Sequence, residues 1–174
     1  MRTLRVPLAL TALAATLTLT LTACAGKSGG AGDGAKKTPE CPISVKVGPG
    51  NAATTAGDTG NIPVTLTNNG TAKCTLEGFP GIELNDGKSS WTVADEKDTK
   101  PEKVTLQKDE TATFTLTYVR GKAGGSLTAP AKTVKITVPG AGAGRSYPWS
   151  FGDVALKDAH TADASVSPVQ VAGD

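Results

Sequence analysis

The sequence predicts an all-β protein: an antiparallel immunoglobulin-like β-sandwich preceded by a signal peptide and a flexible tether. Apolar and polar residues alternate over many short windows, turn-forming Asn, Asp and Gly residues separate those windows, and none carries a 3.6-residue apolar stripe. Several short strands with closely spaced turns are the pattern of a sandwich.

The first element, residues 1–23, is not part of that domain. Arg2 and Arg5 precede an apolar run that ends in Leu21-Thr22-Ala23-Cys24. Small residues before a cysteine form a lipobox, where the signal peptide is cut and the Cys24 thiol carries lipid. A membrane-spanning helix is the competing reading. The run from Val6 to Thr22 is short and threonine-rich for a span of roughly 20 mainly apolar residues. Two acyl chains anchor a protein stably, since each buried methylene adds about 0.8 kcal/mol. The expected location is the cell membrane, lipid-anchored and facing outside, with the membrane as the first partner.

Residues 24–40 follow the lipobox. After Cys24 the chain reads AGKSGGAGDGAKKTPE, with no large apolar residue, so it lacks the burial that offsets ordering entropy and reads as a flexible linker of roughly 20 Å reach. The remaining 41–174 are a normal length for one domain.

Within that domain Ile43, Val45 and Val47 are spaced by two, as are Ile62, Val64 and Leu66. The clearest alternation is Ala112, Phe114, Leu116 and Tyr118, with Thr111, Thr113, Thr115 and Thr117 between; Val134, Ile136 and Val138 repeat it. Each such run is a strand with one face in the core, and the β-branched threonines favour extended backbone. Shorter strands are expected at Ile82–Leu84, Trp91–Val93, Val104–Leu106, Tyr147–Phe151 and Ser165–Val171. Asn68-Asn69-Gly70, Asn85-Asp86-Gly87 and Lys108-Asp109-Glu110 supply the turns.

Charge and cysteine usage narrow the function. Removing Arg2 and Arg5 from the 18 Lys and Arg leaves a number equal to the 16 Asp and Glu. Binding to nucleic acid needs a basic surplus on one face, so that class is excluded. With Cys24 lipidated, Cys41 and Cys74 remain, and an even pair in an exported chain reads as a disulfide. The chain-entropy model gives a loop of this length roughly 3.7 kcal/mol.

Cys41-Pro42, then Val64-Thr65-Leu66-Thr67-Asn68-Asn69-Gly70, then Cys74-Thr75-Leu76-Glu77-Gly78-Phe79-Pro80-Gly81, followed by Val104-Thr105-Leu106, carry a resemblance. The stretch from Cys41 to Pro139 resembles domain-of-unknown-function family 4232, found in secreted proteins and lipoproteins of high-GC Gram-positive bacteria. The resemblance implies an immunoglobulin-like pattern and brings no catalytic residues. Members often carry further cysteines in the later half; this chain has none after Cys74, so only the first bridge is inherited. Physically, Cys74 would pin the start of the first strand at Cys41, while Gly78 and Pro80-Gly81 turn the chain around a buried Phe79 ring.

The search for chemistry is short. His160 is the only histidine, with Asp158 and Asp163 as the nearest acids, so a hydrolytic triad would have to be built on it. Its surroundings read instead as a polar loop, and no Gly-x-Ser-x-Gly elbow occurs. Copper would need soft or imidazole ligands, and the mature chain offers one His, no Met and two paired cysteines. Asp95, Glu96 and Asp98 lack the spacing of a calcium loop. The expectation is therefore no catalytic residue, no metal and no cofactor. Contact with an envelope protein or cell-wall glycan would fall to exposed aromatics, for which Tyr147 is the better candidate and Trp149 the second, burial in the core being the favoured reading of Trp149 and of Trp91. The chain reads as a non-catalytic binding module of the cell envelope, against a cell-wall hydrolase or a purely structural spacer.

Overall fold

The computed structural model describes residues 41–172; the lipobox, Cys24 and the linker lie outside the described residues. Those residues form strands and no helix: β1 (Ile43–Val47), β2 (Thr59–Asn68), β3 (Cys74–Glu77), β4 (Gly81–Asn85), β5 (Ser90–Asp95), β6 (Lys103–Leu106), β7 (Thr111–Val119), β8 (Thr128–Ala129), β9 (Thr133–Thr137), β10 (Arg145–Pro148), β11 (Val154–Ala155), β12 (Thr161–Val166) and β13 (Gln170–Val171).

The all-β class is as the alternation predicts. In β7 Ala112, Phe114, Leu116 and Tyr118 are buried while the intervening threonines are partly exposed. In β2 the buried set is Gly60, Ile62, Val64, Leu66 and Asn68. Each fully buried Leu, Ile, Val or Phe contributes about 1.5–3 kcal/mol, so the paired strands β2 and β7 supply much of the core. They share the longest ladder, from Thr59 opposite Val119 to Thr67 opposite Thr111. Pro63 sits inside it without breaking it. Its carbonyl accepts from the Gly48 N–H just past the end of β1, at 2.9 Å, so the missing proline N–H falls where β1 stops.

The hydrogen bonds draw one nine-stranded sheet in the order β1-β2-β7-β12-β5-β4-β9-β10, with β13 also on β7; β3 and β6 form a separate pair, as do β8 and β11. The two ends of the large sheet come round to meet. Ile43 and Val45 of β1 line one narrow cleft with Ile136 of β9 and Tyr147 of β10, which makes the sheet nearly a closed barrel.

Three local expectations need correction. The ladder is not wholly antiparallel, because β12 runs parallel to β5 with a register irregularity between Thr161 and Ser165. The strand expected over Ser165–Val171 begins at Thr161 and divides at Ser167–Val169, where Pro168 brings no N–H to a ladder. The strand expected over Tyr147–Phe151 is displaced to Arg145–Pro148, because Trp149 and Phe151 belong to an aromatic cluster described below.

Turn chemistry acts where the sequence placed it. Between β4 and β5 Gly87 takes φ 95°, the Gly87 N–H donates to Asn85 Oδ1, and the Lys88 and Ser89 N–H groups donate to Asp86 Oδ1 at 2.8 and 2.7 Å. Asp109, between β6 and β7, takes the left-handed φ of 64°, which Asp tolerates better than most residues.

Candidate functional site

Tyr118, at the end of β7, organises the first cluster. Its hydroxyl donates to the Phe151 carbonyl at 2.9 Å and accepts from the Ala53 N–H at 3.2 Å. Arg120 Nη1 donates to the same Phe151 carbonyl at 2.7 Å. The Trp149 indole N–H closes the loop onto the Gly152 carbonyl at 2.6 Å. Trp149 meets Tyr118 and Phe151 edge-on, with ring centroids 5.2 and 5.0 Å away, an arrangement worth about 0.5–1.5 kcal/mol per pair beyond burial. Two glycines make room. A Cβ on Gly60 would strike the Tyr118 ring, and one on Gly152, at φ 80°, would strike the Arg120 guanidinium.

This cluster decides between the two candidate contact aromatics. Trp149 is only 6% exposed, so it is corrected from a contact residue to a core residue: its ring is spent on Tyr118 and Phe151. Tyr147 is half-buried on the end strand β10, facing the cleft where β1 and β9 meet it. Trp91 is buried as well.

The sole histidine lies on an exposed turn. The Asp158 carboxylate beside it accepts from the backbone N–H groups of His160 and Thr161, each at 2.8 Å. Those bonds, the His160 N–H first, hold the Asp158 carboxyl below its ordinary 3.8. The Ser89 and Lys88 N–H groups do the same to Asp86. Both carboxyls should therefore titrate below 3.8 by carbon-detected NMR. A midpoint at or above that value would break the account of either turn. Depressed values mean that what these carboxylates contribute is present above the unfolded pKa and fades as pH falls through the folded one. Asp163 is ion-paired with Lys157 at 3.5 Å, so the two acids flanking His160 are engaged elsewhere than on its ring. Asp95, Glu96 and Asp98 are exposed, and among the described residues no group of three His, Cys, Asp or Glu side chains converges as a metal site requires.

Two of the open concavities lie beside β13. β12 and β5 run side by side until Glu96 N–H reaches the Val166 carbonyl at 2.9 Å. Beyond that point β13 stays on β7, with Gln170 opposite Thr113 and Val171 opposite Ala112. The chain after β5 swings away into β6, which pairs only with β3. A groove of about 260 Å³ opens there, walled by Thr99, Lys100, Lys103 and Val104 on one side and by Pro168 and Val171 on the other. A second cavity of about 350 Å³, lined by Leu106, Asp109 and Glu110, adjoins it and shares Val171, a large apolar residue left 50% exposed. Lys103 also reaches Glu77 at 3.7 Å, an exposed pair worth under about 1 kcal/mol.

The cysteine motif occupies the far end of β3. Asn68, buried at 0% exposure, holds it together. Its Nδ2 donates to the Ala72 and Leu106 carbonyls at 2.9 and 3.1 Å, and its Oδ1 accepts from the Gly70 N–H at 2.9 Å and from the Cys74 thiol at 3.5 Å. Cys41 and Cys74 are present as neighbouring thiols. Burial, then the hydrogen bond with Cys41, pushes the Cys74 thiol up to about 12. After β3, Gly78 takes φ 122° and Pro80 is buried, while Phe79 is half-buried. The Phe79 ring is thus only partly buried, packing against the core beside the buried Pro80.

A family model described as Domain of unknown function (DUF4232) matches residues 41–170, spanning this motif and nearly all the strands. The chain belongs to the DUF4232 family. No curated protein and no solved structure matches it.

Within this DUF4232 domain, sequence reasoning missed Asn68, Arg120 and the β13 edge. Asn68 was legible as a turn residue, and nothing local marks it as buried. Arg120 follows the alternation of β7 without signalling a role. The edge at β13 depends on which strand stops beside it, a property of strand order alone.

Proposed function

We propose that this protein is a lipid-anchored interaction module of the cell envelope, held outside the membrane by Cys24 and the linker, with no catalytic role. The domain is read as an immunoglobulin-like sandwich whose two faces are joined into one curled sheet. The Cys41 and Cys74 thiols are read as a disulfide in the exported protein. The observation that carries the proposal is the groove beside β13, where among the described residues no strand pairs with its outer side, whereas the sole histidine sits exposed on a turn. Open strand edges are recognised by other chains, so the geometry favours binding over bond-making.

The test is photo-crosslinking in intact cells from probes at Tyr147, Asp86, Lys122 and Lys100, with mass spectrometry of the adducts. One dominant partner supports the module. Diffuse adducts from an abundant, folded protein would replace it with a structural spacer, and turnover of cell-wall polymer by purified protein would replace it with a hydrolase. In the same strain Cys24→Ser should move the protein from the membrane fraction to the medium; retention at the membrane would sink the anchor.

A further inference from the structure

The two thiols of the cysteine motif stand in unlike surroundings. Cys41 is half-buried ahead of β1, where the Ile43 N–H turns back to the Cys41 carbonyl at 2.8 Å. Cys74 opens β3 opposite Leu106 and is 2% exposed. The turn between β2 and β3 is tied to it through Asn68, whose carboxamide holds the Gly70 N–H, the Ala72 carbonyl and the Cys74 thiol at once. That turn is also fastened to the chain beside Cys41. Asn69 N–H donates to the Pro42 carbonyl at 3.1 Å, and Gly70 lies so close to the Pro42 ring that a Cβ there would strike it.

These surroundings give the two sulfurs different chemistry. Thiol–disulfide exchange needs a thiolate that an incoming disulfide can reach. The Cys74 side chain offers no such approach, and the hydrogen bond that its thiol donates to Asn68 favours the protonated form. Burial first, and then the hydrogen bond with Cys41, push the Cys74 thiol up to about 12, so it keeps its proton at neutral pH. Cys41 is the partly exposed member of the pair.

We propose that a disulfide-bearing oxidant enters the domain at Cys41, and that Cys74 completes the bridge from the interior. In the first step Cys41 Sγ releases its proton and attacks one sulfur of the oxidant; the oxidant's S–S bond breaks, and its other half leaves as a thiolate that takes up a proton. In the second step Cys74 Sγ gives up its proton and attacks Cys41 Sγ; the bond between Cys41 and the oxidant breaks, and the remaining half leaves as a second thiol. The protein loses two electrons and two protons, and one disulfide becomes two thiols. The same asymmetry protects the finished bridge, because a reductant that reaches Cys41 must expel a buried Cys74 thiolate, a poor leaving group. This deepens the reading of the pair as a disulfide and rests on it.

The test uses the full-length protein, reduced, pulsed with a small aromatic disulfide and quenched in acid. Peptide mapping assigns each adduct to its cysteine, Cys24 included. In folded protein, adducts at Cys41 should outnumber those at Cys74 at least tenfold, and the two should approach parity in denaturing urea. The Cys41 adduct should then convert into the Cys41–Cys74 bridge with release of a second reagent thiol. Equal labelling in folded protein, or labelling of Cys74 first, overturns the entry site.

In intact cells Cys74→Ser, which keeps a donor for Asn68, should hold a mixed disulfide at Cys41. A protein-sized adduct on non-reducing gels identifies a protein oxidant, and a small mass increase identifies a small disulfide. Trapping at Cys74 in Cys41→Ser, with none at Cys41 in Cys74→Ser, overturns the proposal. Should Cys74→Ser fail to fold, the pulse on the unsubstituted chain decides alone. Free thiols in exported protein, together with bridging through Cys41 in the pulse, would end the disulfide reading and leave the entry site standing; a bridge that never forms overturns both.

Discussion

Replacing Trp149 by alanine should destabilise the domain by about 3–5 kcal/mol, the range for deleting a large buried aromatic. The indole is 6% exposed, stacks edge-on with Tyr118 and Phe151, and ties its N–H to the Gly152 carbonyl. Its loss removes two aromatic contacts and frees the loop that Tyr118 and Arg120 hold through the Phe151 carbonyl. Against a typical domain stability of about 5–15 kcal/mol, that is enough to bring the protein near its unfolding threshold. Urea denaturation of Trp149→Ala beside Tyr147→Ala checks it, because Tyr147 is half-buried on an end strand and its truncation should cost clearly less. Equal, small effects from both substitutions would mean that Trp149 is a surface platform after all.

The second large effect concerns Cys41 and Cys74. Oxidised protein should be more stable than the Cys41→Ala, Cys74→Ala double variant by about 2–5 kcal/mol, the usual cost of removing a native bridge. The pH dependence separates bridge from thiols. In reduced protein the folded state keeps the Cys74 proton up to about 12, while an unfolded cysteine releases it near 8.5. A raised folded pKa contributes stability that is complete below the unfolded value and lost as pH rises towards the folded one. Reduced protein should therefore weaken from about pH 9 towards 12, and oxidised protein should lack that slope. Free thiols on both residues in exported protein, by alkylation and mass measurement, would end the disulfide reading.

Much of the domain was legible because strand formation is local. Alternation in residues 62–66 and 112–118 needs only a two-residue period and β-branched neighbours to declare both a strand and its buried face. Asn85-Asp86-Gly87 likewise declares a turn, because the side-chain acceptors and the left-handed glycine lie within a few residues. Where a residue's partner lies far along the chain, local reading failed. Trp149 looks alike in sequence whether it stacks on sugar or on Tyr118. Asn68 looks like any turn asparagine until Leu106 arrives to accept its hydrogen bond, 38 positions away.

The sequence by itself determined the all-β class, most strand positions, the cysteine motif and membership of the DUF4232 family, because these rest on period, residue type and order along the chain. Only the tertiary structure decided that nine of the strands form one curled sheet, that β12 lies parallel to β5, that Trp149 is interior, and that among the described residues β13 pairs with β7 alone. The reason is physical: a strand's period fixes which face is buried but carries no record of which neighbour it will pair with, and an unpaired edge is defined by where a distant strand stops.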